Sequence, residues 1–182
     1  MLIDKTIFTL FRQGSTTYFY SSLFFPTKIR KQVFILYAFV RQADNYVDKI
    51  PQDKNGFYAF KERFEQAWNG EETDDIIVDS FALLAKEKRF EKEWIDAFFS
   101  SMEMDLIKQV YQDMDDTLKY IYGSAEVIGL FMARLLGLVD RSFESAKHLG
   151  RSMQYINFIR DINEDNSLGR QYFPQTELAR YG

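Results

Sequence analysis

Apolar residues recur at intervals of three and four along almost the whole chain, and only Pro26, Pro51 and Pro174 interrupt it as prolines. That period is the one an amphipathic helix needs to turn a single face inward, so the pattern predicts an all-α protein. Helices are predicted at about residues 4–13, 16–24, 27–49, 55–69, 73–88, 92–110, 114–122, 124–138 and 142–166. Breaks fall where backbone chemistry favours them. In "FFPTKIR" Pro26 ends one element and Thr27 is a candidate N-cap, "KIPQDKNG" reads as a loop, and "WNGEETDD" pairs a glycine stop with a Thr73 cap. The segment "QTELARYG" reads as the start of another helix.

Two helices depart from a plain apolar-in, polar-out pattern. In "LYAFVRQADNYVD", Tyr37, Arg41, Asp44 and Asp48 share one face. In "QYINFIRDINED", Gln154, Asn157, Asp161 and Asp165 form a second polar stripe, flanked by Arg160 and Glu164. Like charges at i,i+4 destabilise an isolated helix by about 0.2–0.5 kcal/mol, and the C-terminal end of a helix disfavours anions. A third pair with the same spacing, Asp75 and Asp79, lies near a helix start, where acids suit the dipole, with no arginine or amide on its face; it is expected to be solvated surface.

Composition narrows the chemistry. The chain has 182 residues, no cysteine and a single histidine, His148, which lies outside every motif and is expected on the surface. Disulfides, zinc sites and Cys/His nucleophiles are therefore excluded as working ideas, and any metal would be a hard, oxygen-bound cation. With 23 basic against 27 acidic residues and no basic run, an electrostatic nucleic-acid footprint is missing. The apolar run "VIGLFMARLLGLV" contains Arg134 and is too short to span a bilayer, and the N-terminus has no signal-peptide pattern, so a soluble intracellular protein is expected. Eighteen Phe and eleven Tyr suit either a ring-packed core or a ring-walled pocket.

Carboxylates one turn apart with an amide nearby are hard ligands for Mg²⁺, which keeps waters and takes one or two carboxylates plus phosphate oxygens. Arg41, Arg160 and Arg170 are the residue type that grips phosphate bidentately. Spacing and chemistry alone leave two readings level: a Mg²⁺–diphosphate site between two facing helices, or ordinary surface acids.

Several segments, in order, resemble the phytoene synthase and squalene synthase family of head-to-head prenyltransferases over essentially the whole length. They are "GSTTYFYSSLFFP", "LYAFVRQADNYVD" as a first aspartate-rich motif, "SMEMD", "YIYGSAEVIGLFMARLLG", and "QYINFIRDINEDNSLGRQYFP" as a second. The "GRQYFP" ending resembles the phytoene and dehydrosqualene synthase branch. The resemblance implies an isoprenoid synthase-type helical bundle with a central cavity, one domain over residues 1–182 lacking its C-terminal third, since the family continues for roughly a hundred further residues of helix.

The resemblance also implies roles. Asp44, Asp48, Asp161 and Asp165 would be the catalytic aspartates that bind Mg²⁺ (or Mn²⁺) with Asn157 assisting. Tyr37, Arg41, Gln154 and Arg160 would contact the prenyl diphosphates, as would the segment Gly14, Ser15, Thr16, Thr17, in which Thr16 stands where the family usually has Lys or Arg. Tyr122 would wall the pocket, Gly169 would turn Arg170 and Tyr172 back toward the site, and Glu126 stands where a glycine is common. The implied reaction condenses two farnesyl or geranylgeranyl diphosphates to a squalene-like hydrocarbon or phytoene, in carotenoid or isoprenoid biosynthesis, without NADPH for the phytoene type. A cytoplasmic location is expected, with peripheral membrane contact implied by such oily substrates and products. Two rivals are a class I terpene synthase, which prefers a DDxxD motif that neither stripe supplies, and a non-catalytic family member serving as an assembly factor, which would be free to lose the aspartates that this chain keeps.

Overall fold

Residues 3–181 are described by the computed structural model, and among them every regular element is helical. Backbone contacts divide the chain into two compact units, residues 1–89 and 90–182.

The first unit comprises α1 (Lys5–Gly14), α2 (Thr16–Ser22), α3 (Thr27–Asp48), α4 (Lys54–Trp68) and α5 (Ile76–Lys88). Its core is aromatic. Phe39 of α3 stacks on Phe81 of α5 at 3.7 Å between ring centres, with Phe60 and Phe64 of α4 closing around it at 5.1 and 5.5 Å. All four rings are fully buried, and each such side chain stabilises the fold by about 1.5–3 kcal/mol relative to exposure. Helix starts are capped by acids: Asp4 accepts from the Thr6 N–H, and Asp53 from the Gly56 N–H. Two expected caps are corrected. Thr27 is the first helical residue after Pro26, and α5 begins three residues later than expected because Asp75, not Thr73, accepts the Ile77 and Val78 N–H groups. Thr73 instead donates its hydroxyl to Asp79.

The second unit comprises α6 (Lys92–Ile107), α7 (Met114–Ile121), a π-helical turn (Tyr122–Glu126), α8 (Val127–Leu135), α9 (Phe143–Arg160), α10 (Ile162–Ser167) and α11 (Gln175–Tyr181). The helix predicted at 92–110 stops at Ile107, where Lys108 turns extended and the strand-like stretch after it lets Gln109 accept the Gln171 N–H. The break expected near residue 123 is absent. The chain runs from α7 to α8 through the π turn, and a Cβ on Gly123 would lie 2.0 Å from the Ala97 carbonyl oxygen, so only glycine lets this turn press against α6. Glu126, on the same turn, is 2% exposed and is held by Arg151 of α9 at 2.7 Å, a partner that satisfies an acid where glycine is common in the resembled family. The helix expected over 142–166 is interrupted at Asp161, although the N–H of Asp161 still donates to Asn157 and that of Asp165 to Asp161. The helix beginning in "QTELARYG" is present as α11, and His148 is exposed as expected. Among the described residues no helix is long and apolar enough to cross a membrane.

Candidate active site

In the first unit the candidate residues gather where α1 hands over to α2. Ser15 both ends α1 and caps α2, its hydroxyl accepting the Tyr18 N–H at 3.2 Å, while Thr16 and Thr17 form the exposed first turn of α2. Gly14 lies directly on α3: a Cβ there would come 2.6 Å from the Tyr37 hydroxyl and 3.2 Å from Cγ of Arg41. The Tyr37 ring stacks on Phe11 at 4.0 Å, which fixes its hydroxyl at this junction. Burial raises the Tyr37 pKa, Arg41 opposes that rise, and the Asp44 charge adds to it, so Tyr37 stays a protonated donor beside a cation and an anion. Asp44 is half-buried and Asp48 exposed, the latter closing the last turn of α3. Thus Gly14, Tyr37, Arg41 and Asp44 are brought together, and Asp48 extends the stripe one turn further.

In the second unit the stripe bends. Asn157 donates its amide to Gln154 at 3.4 Å, and its carbonyl accepts from Asp161. Asp161 sits at the kink between α9 and α10, where its two oxygens are gripped by Arg160 Nε and Nη2 at 2.7 and 2.6 Å. Gly169, at φ 72°, then reverses the chain, a conformation glycine adopts without strain, and the Arg170 N–H returns to the Asp165 carbonyl at 2.8 Å. Asp165, Arg170, Tyr172 and Phe158 line one small cleft of about 180 Å³. Tyr122 stands half-buried at the start of the π turn.

Carboxylate and amide oxygens are the donor type that a hard cation takes; among the described residues no three acidic or histidine side chains converge on one point.

The sequence profile described as Squalene/phytoene synthase matches residues 11–182. The chain belongs to the squalene/phytoene synthase family. Among curated members, it is 29% identical to the 15-cis-phytoene synthase of Pantoea ananas, over 93% of this chain and 59% of that one. It is 31% identical to the 15-cis-phytoene synthase of Enterobacter agglomerans, over 93% and 61%. The chain therefore spans about three-fifths of the length of these relatives. A squalene synthase from Alicyclobacillus acidocaldarius superposes with a TM-score of 0.84 at 24% identity, covering 97% of this chain and 67% of that one, and so shows the same all-α fold.

Sequence reading missed one part of this family member: a buried polar knot around Asp105 of α6, which accepts from the hydroxyls of Tyr172 and Tyr120. A signal was present, since Asp105 falls in phase with Phe98, Ser101 and Met102, all on the buried face of α6. An acid at an apolar position of a helix announces a buried partner.

Proposed function

We propose that this protein condenses two allylic prenyl diphosphates head to head, farnesyl or geranylgeranyl diphosphate, to a squalene-like hydrocarbon or phytoene, its two units acting as one isoprenoid synthase domain. The observation that supports this most is the repetition, once per unit and in a member of this family, of an i,i+4 aspartate pair with an arginine up to three residues upstream, at the end of α3 and across the kink between α9 and α10. Acids toward the end of α3 are disfavoured by its dipole, and a cationic ligand would offset that cost.

Asp44 and Asp48, and Asp161 and Asp165 with Asn157, would hold Mg²⁺. When bound, the metal supplies charge neutralisation for the departing diphosphate. Arg41, Tyr37, Gln154 and Arg160 bind the diphosphate oxygens; Arg160 can turn from Asp161 to phosphate because its side chain is 65% exposed. The double bond of the second substrate then attacks the allylic carbon as the first C–O bond breaks, and loss of a proton closes a cyclopropyl diphosphate. Breaking of the second C–O bond, rearrangement and loss of a second proton give the hydrocarbon. Each released diphosphate takes up one proton, so no histidine base and no reductant are required. Tyr and Phe faces, Tyr122 among them, exclude water and stabilise developing positive charge.

Incubation of the protein with Mg²⁺ and either diphosphate, followed by mass analysis of a hexane extract, is expected to give a thirty- or forty-carbon hydrocarbon. An extract with neither product under both conditions overturns the proposal.

A further inference from the structure

Asp105 is 6% exposed, on a helix that carries none of the residues assigned above. Its Oδ1 accepts from the Tyr172 hydroxyl at 2.7 Å and its Oδ2 from the Tyr120 hydroxyl at 2.9 Å. Arg170, 5% exposed, places Nε 3.9 Å from Oδ1 and Nη1 3.5 Å from the Tyr172 hydroxyl. Burial, with the Asp105 charge adding to it, raises the pKa of Tyr111, Tyr120 and Tyr172, so these phenols remain protonated. Among the described residues, the Tyr111 hydroxyl is buried in the same cluster with no protein hydrogen-bond partner.

A buried carboxylate with cationic and phenolic partners is a poor way to stabilise a core, because apolar residues of the same volume do as well or better. It is a good way to fix geometry. The Tyr172 ring lies flat on Phe158 of α9 at 4.6 Å and 4°, beside Asn157 in sequence, and the Arg170 N–H bonds the Asp165 carbonyl. Thr117 adds a hydrogen bond to the Tyr172 carbonyl at 3.0 Å. One carboxylate on α6 therefore ties the segment after Gly169 to the helix face that bears the second acidic stripe.

We propose that Asp105 is a positioning residue for that stripe: by holding Tyr172 and Arg170 it sets where Asp161 and Asp165 present their oxygens to a Mg²⁺-bound diphosphate. The inference rests on the function proposed above. It makes Arg170 an internal strut as well as a cation near the site, which accounts for its burial.

The test uses the full chain, with inorganic diphosphate and Mg²⁺ as the titrated probe in calorimetry and hydrogen exchange at the Gln171 amide, which bonds Gln109, as a second readout. Asp105→Asn keeps shape and removes charge; it is expected to weaken diphosphate binding about tenfold, the lower end for a residue behind a metal ligand, and to speed Gln171 exchange. Ser101→Ala, which deletes a buried hydrogen bond from the same helix to the Tyr120 carbonyl, is expected to lower the melting temperature and leave binding unchanged. If Asp105→Asn does not fold, Tyr172→Phe, which keeps the stack on Phe158 and loses only the hydroxyl, must show the same weakening. Unchanged binding in the folded variant, or an equal loss in Ser101→Ala, overturns this inference while a binding-competent wild type leaves the proposed function standing. A wild type that binds no diphosphate with Mg²⁺ overturns both.

Discussion

Three aspartate pairs in this chain share the i,i+4 spacing, yet they sit in opposite electrostatic settings. Asp75 and Asp79 open α5: Asp75 accepts two backbone N–H groups and meets Arg63 at 3.3 Å, and Asp79 accepts the Thr73 hydroxyl at 2.7 Å. Asp44 and Asp48 close α3, and Asp161 and Asp165 straddle the end of α9. Asp75 satisfies orphan amides at a positive helix end, whereas Asp44 and Asp48 add negative charge toward the negative end of α3, and Asp161 closes α9 with Asp165 following in the first turn of α10. Position on the helix, rather than spacing, is what sets Asp75 apart from Asp44 and Asp48.

The strongest way to break this comparison is to neutralise one acid of each kind. Asp44→Asn and Asp161→Asn are each expected to lower kcat/KM for hydrocarbon formation by about 10²–10³, the scale of losing a principal electrostatic group in the transition state, while Asp75→Ala leaves turnover unchanged. Equal turnover in all three would erase the distinction between the two settings.

Arginine partners sharpen the comparison next, because both kinds of acid have them. Arg151 neutralises Glu126, which is sealed inside the second unit, and the ion pair raises the Arg151 pKa. Arg151→Ala leaves a buried carboxylate uncompensated and is expected to cost about 3 kcal/mol in denaturant melts. Arg160→Ala removes an exposed pair with Asp161 and is expected to cost at most about 1 kcal/mol. Comparable costs would mean that Arg160 is a structural partner and not a ligand held in reserve.

The contrast also explains what was legible in the sequence. Helical class and the two polar stripes follow from local periodicity, while the Gly169 reversal is an implication of the family resemblance and the exposed His148 of its place outside every motif. Asp75, expected as solvated surface, is half-buried: besides capping Ile77 and Val78 locally it meets Arg63 from α4, a contact that no pattern within α5 can reveal. The missing break at Gly123 has the same cause, since the glycine answers to the Ala97 carbonyl on another helix. Asp105 was overlooked because an acid in an apolar phase has meaning only once Tyr120 and Tyr172 are brought to it.

A smaller effect is expected from the fold-serving pair itself. Asp75→Ala should lower stability by about 1 kcal/mol, the usual cost of a lost N-cap, with Arg63 left to water. Thermal melts of this variant against Asp79→Ala would show whether the cap or the Thr73 bond anchors the start of α5.

The smallest effect separates the two kinds of acid by pH. Asp116, in the first turn of α7, accepts the Gln112 N–H at 3.0 Å and is paired with Lys108. Partial burial pushes its pKa up, but the hydrogen bonds from Lys108 and from the Gln112 backbone outweigh that, so the net shift is downward. A carboxyl held below its unfolded value adds stability above about pH 4 and loses that contribution as pH falls through the folded value. Solvent screening limits the contribution to about 0.5 kcal/mol. Asp116→Asn should therefore flatten the acid limb of a melting-temperature profile below about pH 4 and leave the profile near neutrality lower by a degree or so. A variant as acid-sensitive as the wild type would show that the Lys108 and Gln112 contacts of Asp116 add nothing to the stability of α7.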